Sequence, residues 1–178
     1  MNLLADDSFR PAGSIDDEVR PNPGVYAIRV RVGSTMPEPF KSLLSLRSTR
    51  LIYVGKATSL KGRMLDNELR GRGHGTFFRS IGAVLGYRPA VGSLSTKVNK
   101  YNFSFQKSDR AAIVGWVNAS LDVSWEGLPL DELRATEAAL IAAHMPLLNI
   151  DGKPSALSEL DELRLLCRQI ASGTAAAL

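Results

Sequence analysis

Residues 51–63, with the sequence LIYVGKATSLKGR, combine a phenol and two fixed cations at a predicted strand–helix boundary. The apolar run that contains Tyr53 is typical of a strand, which we expect Gly55 to end. Lys56 follows directly, and Arg63 falls in the first turn of the helix that comes next. Two cations and a phenol beside a helix N-terminus suit a phosphate group. The alternative is an ordinary strand–turn–helix whose basic residues are only solvated.

A carboxylate lies within the apolar stripe of a later predicted helix. With about 100° of rotation per residue, the helix at 130–144 aligns Leu133 and Leu140 with Glu137 between them. A buried carboxylate is costly unless it is paired, protonated or bound to a metal, and hard cations prefer oxygen ligands. Glu137 is therefore predicted to point into a site, with a solvated or arginine-paired side chain as the alternative. His144 shares the stripe and is interpreted as a packed core histidine.

The positive charge is concentrated around these residues. Residues 41–110 contain 14 Lys/Arg and 3 Asp/Glu, a net charge of +11, whereas the whole chain has a net charge of only +4. Such a concentration favours a nucleic-acid-binding surface over a merely solvated face. Phosphate contacts of this kind supply affinity and little sequence preference.

Length and composition indicate one globular domain. The chain has 178 residues, of which 44% are hydrophobic, and no apolar run approaches the ~20 residues of a membrane helix. The first residues are acidic where a signal peptide would be basic and apolar. A single cysteine, Cys167, excludes an intramolecular disulfide framework and a multi-cysteine metal cluster. We predict a soluble, cytoplasmic protein in which Cys167 is a packed thiol.

The other predicted elements position these residues. Residues 24–32 alternate like a half-buried strand, and the connection to residue 51 is too short for a crossover helix, so the two strands are expected to be antiparallel neighbours. Thr58 or Ser59 can cap the following helix. Further predicted elements are a helical turn at 40–46, helices at 59–70, 77–86, 108–121, 130–144 and 155–172, and strands at 101–105 and 123–125.

The residues that can do chemistry occur in a defined order: Gly24-Val25-Tyr26, Tyr53-Val54-Gly55-Lys56, Arg63, His74, and Glu137 with Asn149. This order resembles the GIY-YIG nuclease family, with valine for isoleucine in both name-giving tripeptides. The run YVGKATSLKGR is also similar to the N-terminal incision domain of the bacterial nucleotide-excision-repair nuclease, and 137–149 is similar to the family's closing motif. The matches span about seven-tenths of the chain. The implied fold is α+β, with a small central antiparallel sheet of about three strands flanked by helices.

The resemblance implies hydrolysis of DNA phosphodiester bonds assisted by one divalent cation, Mg²⁺ or Mn²⁺. Glu137 would be the metal ligand. Arg63 would stabilise the charge that develops on the phosphoryl oxygens, work suited to a rigid cationic fork. Tyr26 and Tyr53 would flank the attacking water and the scissile phosphate.

Tyr26 is our first choice for the group that takes the water's proton, and His74 is the alternative. A tyrosine pKa lies near ~10, so a neighbouring Lys56 or the metal would have to favour the phenolate. Histidine titrates near neutrality, as general acid–base work prefers, and His74 lies in a flexible-looking glycine loop. Asn149 is expected to orient the phosphate or a side chain rather than to react.

We divide the chain into an irregular N-terminal arm at 1–22, a nuclease domain at 23–152, and a C-terminal amphipathic helix with its tail at 153–178. The domain contains a basic insertion at about 75–126 that is expected to embrace the duplex. The residues predicted to bind nucleic acid are Lys56, Lys61, Arg70, Arg72, Arg79 and Arg88.

Two classes of function fit these residues. The leading one is a metal-dependent DNA endonuclease, restriction-like or repair-related, acting as a monomer or homodimer, with RNA not excluded as a substrate. The alternative is a non-catalytic nucleic-acid-binding module on the same scaffold. The presence of Tyr26, Tyr53, Arg63 and Glu137 together weighs against the alternative, because a module without catalysis need not keep all four.

Overall fold

A four-stranded antiparallel sheet forms the centre of the computed structural model, which describes residues 2–150 and 157–174. The strand order is β1-β4-β2-β3, and β2 pairs with both β3 and β4. This confirms the predicted α+β fold and adds a fourth strand to the sheet. The strands are β1 (Arg10–Pro11), β2 (Gly24–Val30), β3 (Leu51–Ala57) and β4 (Leu121–Gly127).

Helices cover both faces of the sheet. None of those in the described residues is long and apolar enough to cross a membrane. The helix predicted at 59–70 is a π-helix, Lys61–Leu69, and the Ser59 hydroxyl accepts a hydrogen bond from the Gly62 N–H in its first turn, as expected of a cap. The α-helices are α1 (Phe40–Ser45), α2 (Thr76–Val84), α3 (Lys107–Ser120), α4 (Leu133–His144) and α5 (Ser158–Ser172).

The alternation of β2 divides its side chains between two cores. Val25 and Ala27 pack with the buried side chains of α4, whereas Tyr26 and Ile28 face the larger core built by the π-helix, α2 and α3. Because burial of one large apolar side chain contributes about 1.5–3 kcal/mol, this pattern fixes which face of the sheet each helix covers. The two tyrosines of the predicted site therefore lie on the face opposite α4.

The N-terminal segment is a packed part of the fold. A 3₁₀ turn spans Asp6–Ser8, and β1 pairs with β4 through Arg10 and Val123. Ala12, Ile15 and Val19 are buried in the larger core. The expectation of a poorly ordered arm is wrong for the described residues, because these three apolar side chains were overlooked among prolines and acids. The domain boundaries themselves stay predictions.

Arg70 fastens this segment to the π-helix. Its guanidinium pairs with Asp16 and donates hydrogen bonds to the Ala12 carbonyl at 2.8 Å and to Asn118 Oδ1 at 3.0 Å. Its side chain is nearly buried. Arg70 is therefore a structural residue, and its predicted contact with nucleic acid is corrected.

Other predicted boundaries also move. Gly55 does not end β3, which continues to Ala57, and α4 begins at Leu133 rather than at residue 130. His144 is exposed, so its interpretation as a core histidine is wrong. The predicted start of the last helix at Ser155, like the tail at 175–178, lies outside the described residues.

The basic insertion is partly a structural unit of the sheet. Its last residues belong to β4, which lies between β1 and β2. Residues 101–105 are not a strand; they bring Phe103 and Phe105 into the core, where the two rings meet edge to face at 5.7 Å. The alternation at 101–105 reflects burial of two aromatic rings and not strand pairing.

Arg70→Ala is expected to lower the free energy of unfolding by about 2–3 kcal/mol, because it removes several charge-assisted hydrogen bonds between the N-terminal segment and the core. Arg72→Ala is the matched control: its exposed guanidinium pairs only on the surface with Asp66, so the loss should be at most about 1 kcal/mol. Urea denaturation of both variants measures the difference. Equal losses would contradict the anchoring role of Arg70.

Candidate active site

Two buried tyrosines lie side by side on neighbouring strands. Tyr26 on β2 and Tyr53 on β3 are buried, with ring centroids 6.2 Å apart, and the Tyr53 ring contacts Phe77 of α2. Gly55 lies opposite Tyr26 in the ladder, and a Cβ there would come within 2.5 Å of the Tyr26 ring. Glycine at this position therefore makes room for the phenol, which is why it stays within the strand.

Arg63 lies beside both hydroxyls and is held from several sides. One guanidinium nitrogen lies 2.9 Å from Glu68 Oε1 and 3.3 Å from Thr76 Oγ1, and the other lies 3.3 Å from the His74 carbonyl. Arg63 and Glu68 are five residues apart, which matches the i→i+5 hydrogen-bond repeat of a π-helix. The unusual helix thus brings a cation and a carboxylate together next to the tyrosines.

Glu68 is the residue that sequence reasoning missed. Its carboxylate is fully buried and accepts hydrogen bonds from the backbone N–H groups of Thr76 and Phe78, at 3.1 and 3.2 Å. These are first-turn donors of α2, whose N-cap, Gly75, has no side chain to supply the bonds. A Cβ at Gly75 would come within 2.4 Å of Glu68 Oε2, so the glycine admits the carboxylate.

The signal for Glu68 was present in the sequence. It lies between buried Leu60, Met64, Leu65 and Leu69, on the apolar side of its helix. Glu68 therefore interrupts an apolar stripe in the same way as Glu137 does.

Burial controls the protonation of the two phenols. Desolvation raises the pKa of Tyr26 well above the ordinary tyrosine value, and the neighbouring Tyr53 and Glu68 raise it further against the opposing effect of Arg63. The pKa of Tyr53 is also raised, first by desolvation and then by Glu68. Both hydroxyls are protonated at neutral pH and can donate hydrogen bonds. The expectation that Lys56 would favour a Tyr26 phenolate is not met, because the lysine binds elsewhere.

Lys56 binds Glu137. Its ammonium pairs with one carboxylate oxygen of Glu137, and its backbone N–H donates to the other at 3.1 Å. The Glu137 side chain is only 20% exposed, so the carboxylate is sheltered but reachable. A cation already lies at the oxygen that was predicted to bind a metal, which shows that the position suits a positive charge.

Few further metal ligands accompany Glu137. Across residues 2–150 and 157–174, no group of three or more His, Cys, Asp and Glu side chains is arranged to hold a metal. A site with one carboxylate fits a cation that keeps several waters and takes substrate phosphate oxygens, as Mg²⁺ does. It does not fit a zinc centre built from protein ligands.

A cleft of about 530 Å³ joins the two halves of the site. It lies where β3 passes into the π-helix, so Lys56 lines it from the strand and Arg63 from the helix. Leu133 and Arg134 line the opposite wall, on α4. Arg134 was not among the predicted residues. It adds a third cation to a cleft that borders the Lys56–Glu137 pair.

Asn149 bonds to the backbone of β3, and its predicted role of orienting the phosphate or a side chain stays a prediction. Its buried side-chain amide accepts from the Val54 N–H at 2.9 Å and donates to the Val54 carbonyl at 2.8 Å. The Leu148 N–H continues the pattern by donating to the Ile52 carbonyl at 2.7 Å. With both ends of its amide engaged by Val54, Asn149 is a positioning residue for β3.

The other residues predicted to bind nucleic acid differ in their exposure to solvent. Lys56, Lys61 and Arg72 are exposed and stay predictions for nucleic-acid binding. Arg79 is buried, which corrects its prediction as a nucleic-acid contact. Arg88 is partly buried and donates to the Ala83 and Tyr87 carbonyls, so its main contact is with the end of α2.

His74 contributes its backbone to the site. Its carbonyl accepts from Arg63, while its side chain is exposed. The glycine-rich loop around it packs closely on the π-helix, since a Cβ at Gly73 would come within 2.1 Å of Asn67 Oδ1. The loop is therefore shaped by contacts that require glycine.

The chain matches a model of a known protein family. The family model described as the GIY-YIG catalytic domain matches residues 24–167. Neither a curated protein nor a solved structure matches the chain.

The protonated state of the phenols predicts the alkaline behaviour of the protein. Because their folded pKa values exceed the unfolded value, the contribution of these two tyrosines to folding stability should be complete below about pH 10 and be lost as pH rises above it. Of the four tyrosines, Tyr26 and Tyr53 should ionise only as the chain unfolds. Tyrosinate absorbance, followed with circular dichroism on metal-free protein, tests this. Ionisation of all four tyrosines before unfolding would contradict it.

Proposed function

The chain belongs to the GIY-YIG catalytic domain family, and from this membership we propose that it is a divalent-metal-dependent endonuclease that hydrolyses DNA phosphodiester bonds. Membership implies a nuclease-type function in general. The metal, the DNA substrate and the residue roles below are the proposal.

The observation that carries the proposal is the cleft shared by Lys56 and Arg63. One of these cations is paired with Glu137 from one face of the sheet, and the other with Glu68 from the opposite face. A phosphate group that enters the cleft meets two cations, of which Arg63 is fixed in position by the buried Glu68. Fixed charges of this kind stabilise developing negative charge without reorganisation at the moment of reaction.

Glu137 would hold the metal, with water and phosphate oxygens completing its coordination. When bound, a divalent cation lowers the pKa of water and stabilises charge on phosphoryl oxygens. Lys56 would then leave the Glu137 oxygen that it occupies, and its ammonium lies in the cleft where substrate phosphate enters. This supports a double role for Lys56, as counter-ion of Glu137 and as a phosphate ligand.

Arg63 would bind the phosphoryl oxygens, and the phenols would orient the attacking water. The Arg63 side chain is 36% exposed, so a substrate can reach its guanidinium while Glu68 and Thr76 hold it in position. Tyr26 and Tyr53, protonated by burial, can donate to a phosphate oxygen or hold a water. The raised pKa of Tyr26 supports His74 over Tyr26 as the acceptor of the water's proton.

The alternative is a nucleic-acid-binding module without catalysis. The ion pairs at Arg63 and Glu137 argue against it, because a binding surface gains nothing from carboxylates that neutralise its cations. Those carboxylates are explained by the need to fix Arg63 and to hold a metal.

We expect the purified protein to cut plasmid DNA with Mg²⁺ or Mn²⁺ and to stop when the metal is chelated. Glu137→Ala should lower the cleavage rate at least about a hundredfold because the metal ligand is lost, and Arg63→Ala should do the same because transition-state charge is unsupported. Glu137→Asp should retain part of the activity at raised metal concentration.

The matched control is Arg10→Gln, an exposed arginine on β1 at the opposite edge of the sheet from β3. It should cut at the wild-type rate. Wild-type protein that binds DNA without cutting DNA or RNA under any of these metals would favour the binding module instead.

The proton acceptor can be identified from the pH dependence of cleavage. Wild-type kcat/KM should rise with pH as the proton acceptor loses its own proton. His74→Ala should lose this rise, whereas Tyr26→Phe should keep it at a lower overall rate. If His74→Ala retains the rise and Tyr26→Phe abolishes it, the role belongs to Tyr26.

A further inference from the structure

Three arginines lie together between α2 and α5, and none of them forms an ion pair within residues 2–150 and 157–174. Arg79 is only 8% exposed, and its Nε and one terminal nitrogen are buried with no hydrogen-bond partner in the described part of the chain. Arg168 Nε is buried and unpartnered in the same sense. Arg164 donates only to neutral oxygens, the Thr76 carbonyl at 3.2 Å and Ser80 Oγ at 2.9 Å.

Two of these arginines have a lowered pKa, and the charge of a neighbouring guanidinium contributes to each of these shifts. Desolvation and then the Arg164 charge lower the pKa of Arg79 to about 10. The pKa of Arg164 is lowered by desolvation and then by Arg168. Buried cations without counter-ions are costly, and a multi-oxygen anion would relieve both the lost solvation and the mutual repulsion.

A cavity opens at this cluster. It has a volume of about 540 Å³ and is lined by Arg164, Arg168 and Tyr101, whose ring centroid lies 5.3 Å from the Arg168 guanidinium. Asp161 and Glu162 also line the cavity, at the beginning of α5. In the described part of the chain, neither of them forms an ion pair with these arginines. The lining thus changes from acidic to basic along α5, which places an anion at the Arg164–Arg168 end.

The cavity is connected to the candidate active site through one residue. Thr76 accepts from Arg63 with its hydroxyl and from Arg164 with its carbonyl. Thr76, the first residue of α2, therefore contacts both Arg63 and Arg164. Among anions, a phosphate group offers several oxygens to a pair of guanidinium forks and is available on the substrate itself.

We propose that Arg164 and Arg168 form a second phosphate-binding site, which takes a backbone phosphate of the nucleic-acid strand beside the cleaved bond. The exposed Tyr101 ring supplies a surface on which the adjoining base can stack. The identity of the ligand as nucleic acid rests on the proposed function, whereas the existence of an anion-binding site does not.

The test compares wild type with Arg168→Gln, using Arg10→Gln as the control for loss of one positive charge. Inorganic phosphate is titrated by calorimetry, and binding of a DNA duplex is measured at several salt concentrations in chelator, with the DNA checked for integrity afterwards. We expect Arg168→Gln to lose phosphate binding and to weaken DNA binding about tenfold. The slope of log Kd against log salt should fall by about 1.

Each outcome bears on one part of the proposal. Phosphate and DNA binding that are unchanged relative to Arg10→Gln overturn the site. Loss of phosphate binding with unchanged DNA affinity overturns the assignment to nucleic acid and identifies a site for free phosphate. Because the readout is binding without metal, a protein that never cuts DNA can still support the site.

A second variant separates binding from folding. Arg168→Lys keeps the charge but removes the planar fork, so it should keep the wild-type unfolding temperature and the salt slope while losing part of the phosphate affinity. If Arg168→Gln unfolds and Arg168→Lys binds phosphate as wild type does, the fork is not used and the proposal is overturned.

Discussion

The ion pair between Glu68 and Arg63 is the interaction on which the candidate site depends. A carboxylate with no exposed surface is tolerable only when its oxygens are fully engaged, and Glu68 is engaged by a guanidinium and two backbone N–H groups. The same contacts begin α2 and immobilise Arg63. Removing one partner of such a pair typically costs about 3–5 kcal/mol, so the local fold and the chemistry are stabilised by one arrangement.

The site is divided between the two faces of the sheet, and β3 connects them. Odd-numbered Tyr53 and Gly55 face the core that holds Arg63, whereas Lys56 points to α4 and Glu137. Alternation along one strand thus delivers a phenol to one side and an ammonium to the other within a few residues. The cleft at the end of the strand is where both sides become accessible to one substrate.

Much of this could be predicted from the sequence, because β2, β3 and α4 each carry a pattern that a few residues define. Glu137 was found because a carboxylate interrupted an apolar stripe. Glu68 also interrupts an apolar stripe. Its contact with Arg63 spans five residues, however, and the spacing of an α-helix does not predict such a contact. Arg70 and Arg79 were assigned to nucleic acid because counting charge cannot distinguish a buried guanidinium from an exposed one. The prediction of a strand at 101–105 was wrong because two buried rings imitate strand alternation.

Both edges of the sheet are closed to further pairing. At one edge β1 has only two residues, and Pro11 lacks an N–H. At the other edge, the Leu148 N–H donates a hydrogen bond to the Ile52 carbonyl of β3. The Asn149 side-chain amide forms two hydrogen bonds with the Val54 backbone, where a further strand would otherwise pair. β3 can therefore lie at the margin of the sheet without acting as a template for aggregation. It also follows that a homodimer would have to form through helices or loops, since continuous pairing of two sheets across β3 is blocked.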